Sequence, residues 1–121
     1  MATTVVRSAA LTDVLYGDLM KATWGSLVNG DAGVAVACGE YADRSVQVTG
    51  TFGAGGTVLI EGTLDGSNWL TLTDPQGNAL SFTAAKIEAV SEMTELIRPR
   101  VSAGDGTTAI AVTLIGRKGH Q

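Results

Sequence analysis

Residues Ser45 to Thr73, SVQVTGTFGAGGTVLIEGTLDGSNWLTLT, decide how the rest of the chain is read. Val46 and Val48 alternate with Gln47 and Thr49, the two-residue period of a strand with one buried face. Phe52-Gly53-Ala54-Gly55-Gly56 breaks that run, because clustered glycines favour positive φ and a turn over a regular element. Val58 and Ile60 resume the alternation, and Asp65-Gly66-Ser67-Asn68 supplies a second set of turn residues. Trp69-Leu70-Thr71-Leu72-Thr73 then runs back. The stretch predicts three consecutive strands in an up-down-up block. Such a block cannot bury its apolar face alone, so the rest of the chain has to supply a second sheet.

Working outward toward the N-terminus, Val34 to Cys38 reads as a strand of small residues, preceded by a turn at Asn29-Gly30-Asp31-Ala32-Gly33. Leu19 to Trp24 reads as another strand. Leu11, Val14, Leu15 and Leu19 fall at helical spacing, but Gly17 interrupts them. A helical turn and an extended arm are both open there, and the arm, packing on a neighbouring subunit, is the preferred reading. Toward the C-terminus, Asp74-Pro75-Gln76-Gly77-Asn78 is a turn and Leu80 to Thr83 a short strand. Thr83 is placed to cap a brief helix running to Ser91, because Ala84, Ala85, Lys86, Glu88 and Ala89 favour helix and Ile87 and Val90 are three apart. Leu96 to Val101 is a strand whose Pro99 lacks a ladder donor, which predicts a sheet edge or a bulge. After the turn at Ala103 to Thr107, Thr108 to Ile115 places Ile110, Val112 and Leu114 on one face. About eight short strands with turns every 8–12 residues or so predict an all-β, two-sheet sandwich or jelly-roll-like domain with one short helix. The expected organisation is an N-terminal arm over 1–18, the sandwich over 19–117 and a flexible tail over 118–121.

A chain of 121 residues suits one domain that needs no metal or disulfide staple. The formal charge of −4 argues against nucleic-acid binding, which needs clustered Lys and Arg; a local basic patch from Arg98, Arg100, Arg117 and Lys118 stays open. The single cysteine, Cys38, lies in an apolar run and reads as a buried, inert thiol. The N-terminal residues lack the basic start and apolar core of a signal peptide, and no apolar run approaches the roughly 20 residues that span a bilayer. The expectation is a soluble chain made in the cytoplasm, without a membrane partner.

No catalytic constellation is visible. The one histidine, His120, reads as a tail residue, so Ser-His-Asp, Cys-His and zinc arrangements lack support. Asp65-Gly66-Ser67-Asn68 and Asp105-Gly106-Thr107 offer oxygen ligands, but neither follows the pattern of a calcium loop, and Asp-Gly is a common tight-turn pair. The glycines at 53, 55 and 56 lack the following lysine of a phosphate loop. The chain is therefore expected to be no enzyme and to carry no cofactor or metal. Trp24 and Trp69 fit core or subunit-interface packing better than a sugar platform, given so few other aromatics. Arg98 and Arg100 share one side of their strand, as solvated charges or as partners for another subunit's carboxylates. Trp24, Arg98 and Arg100 are the candidate partner contacts.

Several segments carry a family likeness. Ala42 to Gly53 (ADRSVQVTGTFG), Glu61 to Trp69 (EGTLDGSNW), Asp74 to Leu80 (DPQGNAL), Ile97 to Val101 (IRPRV) and Gly104 to Thr108 (GDGTT) resemble small structural virion proteins of tailed bacteriophages. The likeness extends over about residues 20 to 118 and consists of turn and strand motifs, so it carries no site residues. It implies a non-enzymatic β-sandwich or jelly roll in the virion, made in the host cytoplasm and assembled on the particle. The placement it favours is a head decoration (cement) protein on the outer capsid surface. Its partners would be the major capsid protein and further copies of itself, with a trimer as the expected assembly. A tail- or fibre-associated subunit is the next placement, and a carbohydrate-binding attachment module is the rival from another class.

Overall fold

The alternation at Val46 and Val48, Val58 and Ile60, and Ile110, Val112 and Leu114 is what builds the core: all seven side chains are buried in one cluster. The computed structural model describes residues 5–7, 9–15 and 19–118. Twelve strands follow in order: β1 (Val5–Arg7), β2 (Ala9–Leu15), β3 (Leu19–Leu27), β4 (Asp31–Gly33), β5 (Val36–Ala37), β6 (Asp43–Thr51), β7 (Thr57–Thr63), β8 (Leu70–Thr71), β9 (Ser81–Phe82), β10 (Lys86–Val90), β11 (Leu96–Ala103) and β12 (Ala109–Arg117). They form two sheets, so the protein is an all-β sandwich. One sheet runs β1-β4-β11-β7-β8, with β5 beside β11 and β9 beside β7; the other runs β10-β6-β12-β3-β2. Every pairing is antiparallel except that of β1 with β4. The inward faces of β3, β6 and β12 meet those of β7 and β11 across the core, as expected where two sheets share alternating apolar residues.

Three expectations are corrected. The segment from Thr83 to Ser91 is not helical; Lys86–Val90 pairs residue for residue with β6, from Lys86 opposite Val48 to Val90 opposite Arg44. Helix propensity is a weak local preference, and the open edge of β6 offers a full ladder that outweighs it.

The up-down-up block is not one meander. β7 and β8 do pair, Glu61 with Thr71 and Gly62 with Leu70, but β6 lies in the opposite sheet. Phe52 to Gly56 is therefore a bridge between layers. Gly53 makes it possible, with φ at 74° and an Asp105 carboxylate oxygen only 2.3 Å from where a Cβ would stand. The Thr108 hydroxyl donates to the Phe52 carbonyl and the Ala54 amide donates to Asp105, which ties the bridge to the start of β12.

Pro99 is not at an edge: β11 runs inside its sheet, flanked by β7 on one side and by β4 and β5 on the other. The proline is tolerated because that second flank is interrupted. β5 pairs with Leu96 and Ile97 and β4 with Arg100, leaving a break opposite Pro99. A register shift follows between Val101 and Ala103.

In the N-terminal segment, β1 runs beside β4 and β2 beside β3. The tail expected from 118 onward lies, after Lys118, outside the described residues, as does His120.

Candidate interaction surface

Chemistry on this fold has to come from the faces and ends of the sheets, because the space between them is filled by apolar side chains. On the outer face of β7, Glu61 lies directly opposite Arg98 of β11, and Arg100 follows two residues along on the same side. Arg98 Nε donates to Glu61 Oε1 at 3.1 Å, and Arg100 Nε donates to Glu61 Oε2 at 2.8 Å. Glu61 is buried beneath the two arginines. The Arg98 guanidinium also lies 4.2 Å from the centre of the Trp69 ring. The shared side predicted for the two arginines is thus present, and the carboxylate they meet belongs to their own chain.

Trp24 is enclosed in the core, with no exposed surface, and its indole Nε1 donates to the Val34 carbonyl at 2.9 Å. Gly33 is the reason it fits, since a Cβ there would stand 2.5 Å from the indole ring. The structure therefore separates the three candidate contacts, placing Arg98 and Arg100 together at the surface and Trp24 inside.

Below that cluster, the turn between β7 and β8 opens a concave apolar surface. Leu64 and Leu70 are 75% and 71% exposed, and with Met93 they line a groove of about 510 Å³ whose floor includes Leu72 and Thr94. Large apolar side chains are seldom this exposed together on a chain that works alone. Sequence reading missed these residues. The available signal was a leucine on each flank of the Asp65-Gly66-Ser67-Asn68 turn, where a hairpin tip is ordinarily polar.

The acidic turns are occupied by their own backbone. Asp65 Oδ1 accepts from the amides of Ser67 and Asn68, both at 2.8 Å, and from the Thr63 hydroxyl at 2.9 Å, while Oδ2 accepts from Asn68 Nδ2 at 2.6 Å. The Asn68 amide and then the others hold the Asp65 carboxyl far below the usual range. Asp105 accepts from the Thr107 hydroxyl at 2.6 Å and the Ala54 amide at 2.9 Å, and its pKa falls to about 2. Both carboxylates are engaged as turn anchors. Among the described residues no three His, Cys, Asp or Glu side chains come together to hold a metal ion.

Among the described residues, the buried cationic group is Arg44. Its Nε donates to the Tyr41 carbonyl at 2.6 Å and its Nη2 to the Cys38 and Thr94 carbonyls at 2.8 and 2.6 Å. Neutral carbonyls and the Thr94 hydroxyl satisfy the guanidinium there, which makes it a structural clamp.

The geometry defines a class: a two-sheet domain whose distinctive groups lie on its exterior, as a charged, aromatic cluster beside an apolar groove. The solved structure of SPBc2 prophage-derived protein YomS has the same fold, with a TM-score of 0.57 at 12% sequence identity over 86% of this chain and 98% of that one. No protein-family model matches the chain, and no curated protein sequence matches it.

Proposed function

We propose that this chain is a structural protein of a tailed-phage virion, a head decoration protein that binds the outer capsid surface and stabilises it, without catalytic activity. The observation that carries the reading is the exposed groove of Leu64, Leu70 and Met93 beside the Arg98–Glu61–Arg100 cluster. An apolar centre with a charged rim is the composition of a surface that seats another protein. A fold in common with a prophage-derived protein supports the phage setting. In this reading the partners are the major capsid protein and further copies of the chain, with no nucleic acid, membrane or cofactor. The protein is made in the host cytoplasm and acts in the assembled particle. Repeated contacts around a symmetric lattice then raise the effective concentration of each further contact. The carbohydrate-module alternative draws no support from Trp24, which is buried, or from the Trp69 face that Arg98 covers.

Mass spectrometry of purified virions tests the proposal. Hundreds of copies per particle are expected for head decoration, a few to dozens would move the chain to the tail or fibre, and none would end the virion reading. In the decoration case, Leu70→Asp is expected to abolish binding to capsids lacking the protein while leaving the circular dichroism spectrum unchanged.

A further inference from the structure

Strand β10 forms one edge of its sheet, and among the described residues it pairs with β6 alone. Its five residues are Lys-Ile-Glu-Ala-Val, with Lys86 and Glu88 on the same face as Val48 and Val46 of β6. Edges are commonly protected by short length, charged side chains, proline or a bulge, and on β10 the charges are of both signs, which a second copy of the same strand can complement. Here Lys86 and Glu88 stand on one side of the strand, 2.9 Å apart, with Ile87 between them on the other side and 65% exposed. Ile87 is opposite Gln47 in the ladder, so it belongs to the outer face of the sheet, where a shallow groove runs on past Gln47 and Thr113 to Ile115.

We infer that β10 pairs antiparallel with β10 of a second copy of this chain, about a two-fold axis through Ile87. This register is self-complementary. Ile87 meets Ile87 of the second copy, Lys86 lies opposite its Glu88, and Glu88 lies opposite its Lys86. Opposite charges directly across a strand pair stabilise it, and like charges destabilise it. An axis one residue later, through Glu88, would set the two Glu88 carboxylates against each other and leave Lys86 facing Val90. The charge pattern therefore selects one register out of the neighbouring ones. The pairing joins two five-stranded sheets into one continuous sheet and brings the two strips of Ile87 and Ile115 onto a common outer face. It is an isologous contact, so it closes at two copies.

Charge reversal tests the register directly. Sedimentation or light scattering of the wild-type chain over a concentration series is expected to show a monomer–dimer equilibrium. Lys86→Glu alone, or Glu88→Lys alone, sets like charges opposite each other twice by symmetry and is expected to weaken self-association about tenfold or more. The double variant K86E/E88K restores opposite pairing and is expected to recover the wild-type dimer, which rules out simple misfolding as the cause of the loss. A wild-type chain that stays monomeric at several hundred micromolar, a dimer unaffected by both single reversals, a double variant that stays monomeric, or a trimer in place of the dimer would each overturn the inference.

Discussion

Arg44 Nη1 donates to the Thr94 hydroxyl at 2.9 Å while Nη2 donates to the Thr94 carbonyl at 2.6 Å, so one guanidinium holds one residue by both its side chain and its backbone. Arg44 starts in the β10-β6-β12-β3-β2 sheet, and Thr94 leads into β11 of the other. The same guanidinium donates to the Cys38 and Tyr41 carbonyls, so two irregular segments, 38–42 and 91–95, depend on it. Removing it takes a charged donor from the buried Thr94 carbonyl and hydroxyl and from the Cys38 and Tyr41 carbonyls, where an unsatisfied buried group costs about 1–3 kcal/mol. Arg44→Ala is expected to destabilise the chain by about 3 kcal/mol or more in urea unfolding. A loss below about 1 kcal/mol would show that water replaces the guanidinium at no great disadvantage.

Glu61 serves two arginines, whereas each arginine has water as a substitute partner. The three substitutions should therefore be unequal. Glu61→Ala, which leaves Arg98 and Arg100 facing each other without the carboxylate, is expected to lower stability by about 2 kcal/mol. Arg98→Ala or Arg100→Ala alone is expected to lower it by about 1 kcal/mol or less. A double-mutant cycle on Glu61 and Arg98 should return a coupling term, and strict additivity would contradict the shared-acceptor geometry.

The turn carboxylates set the acid limit of the fold. Asp105 has a folded pKa of about 2 against an ordinary 3.8, owing first to the Thr107 hydroxyl and then to the Ala54 amide. A pKa depressed in the folded state adds stability that is fully present above the unfolded value and lost as pH falls through the folded one. Asp65 and Asp74 shift in the same direction, led by the Asn68 and Asn78 amides respectively. The contribution of these groups to thermal stability should be level from about pH 7 to 5 and decline from about pH 4 to 2. Asp105→Asn should make that decline shallower, and an unchanged acid slope would remove Asp105 from the account.

Cys38 is buried, and burial pushes its thiol above the ordinary value, against the opposing pull of Arg44. Reaction with a charged thiol reagent at pH 8 should run at least about a hundredfold slower in the native chain than in urea. Equal rates would place the thiol in reach of solvent.

The layered β architecture was legible because alternation is local. Val46 and Val48 must face one way and Gln47 the other, whatever pairs with them. Which sheet a strand joins is not local, and nothing in Val58 to Ile60 distinguishes a return beside β6 from a crossing to β11. The same limit explains Lys86–Val90, whose composition favours helix until an open neighbouring edge is present to be paired. The shared side of Arg98 and Arg100 could be read from their spacing. Their tie to Glu61 could not, because it depends on β7 and β11 lying in register. Arg44 was hidden for a different reason: between Asp43 and Ser45 it reads as an ordinary surface charge, and only the convergence of the segments around Cys38 and Thr94 surrounds it with acceptors.

The position of β12, between β3 and β6 in the middle of its sheet, has a consequence for biosynthesis. Until residues 109–117 have left the ribosome, β3 and β6 each present a bare flank, and the five-stranded layer is two fragments with no seam. Long-range pairing of this kind is slow, and the waiting edges invite mispairing. Nascent chains stalled before Ala109 should therefore be captured by chaperones, and release of β12, more than any earlier event, joins the two halves of that sheet.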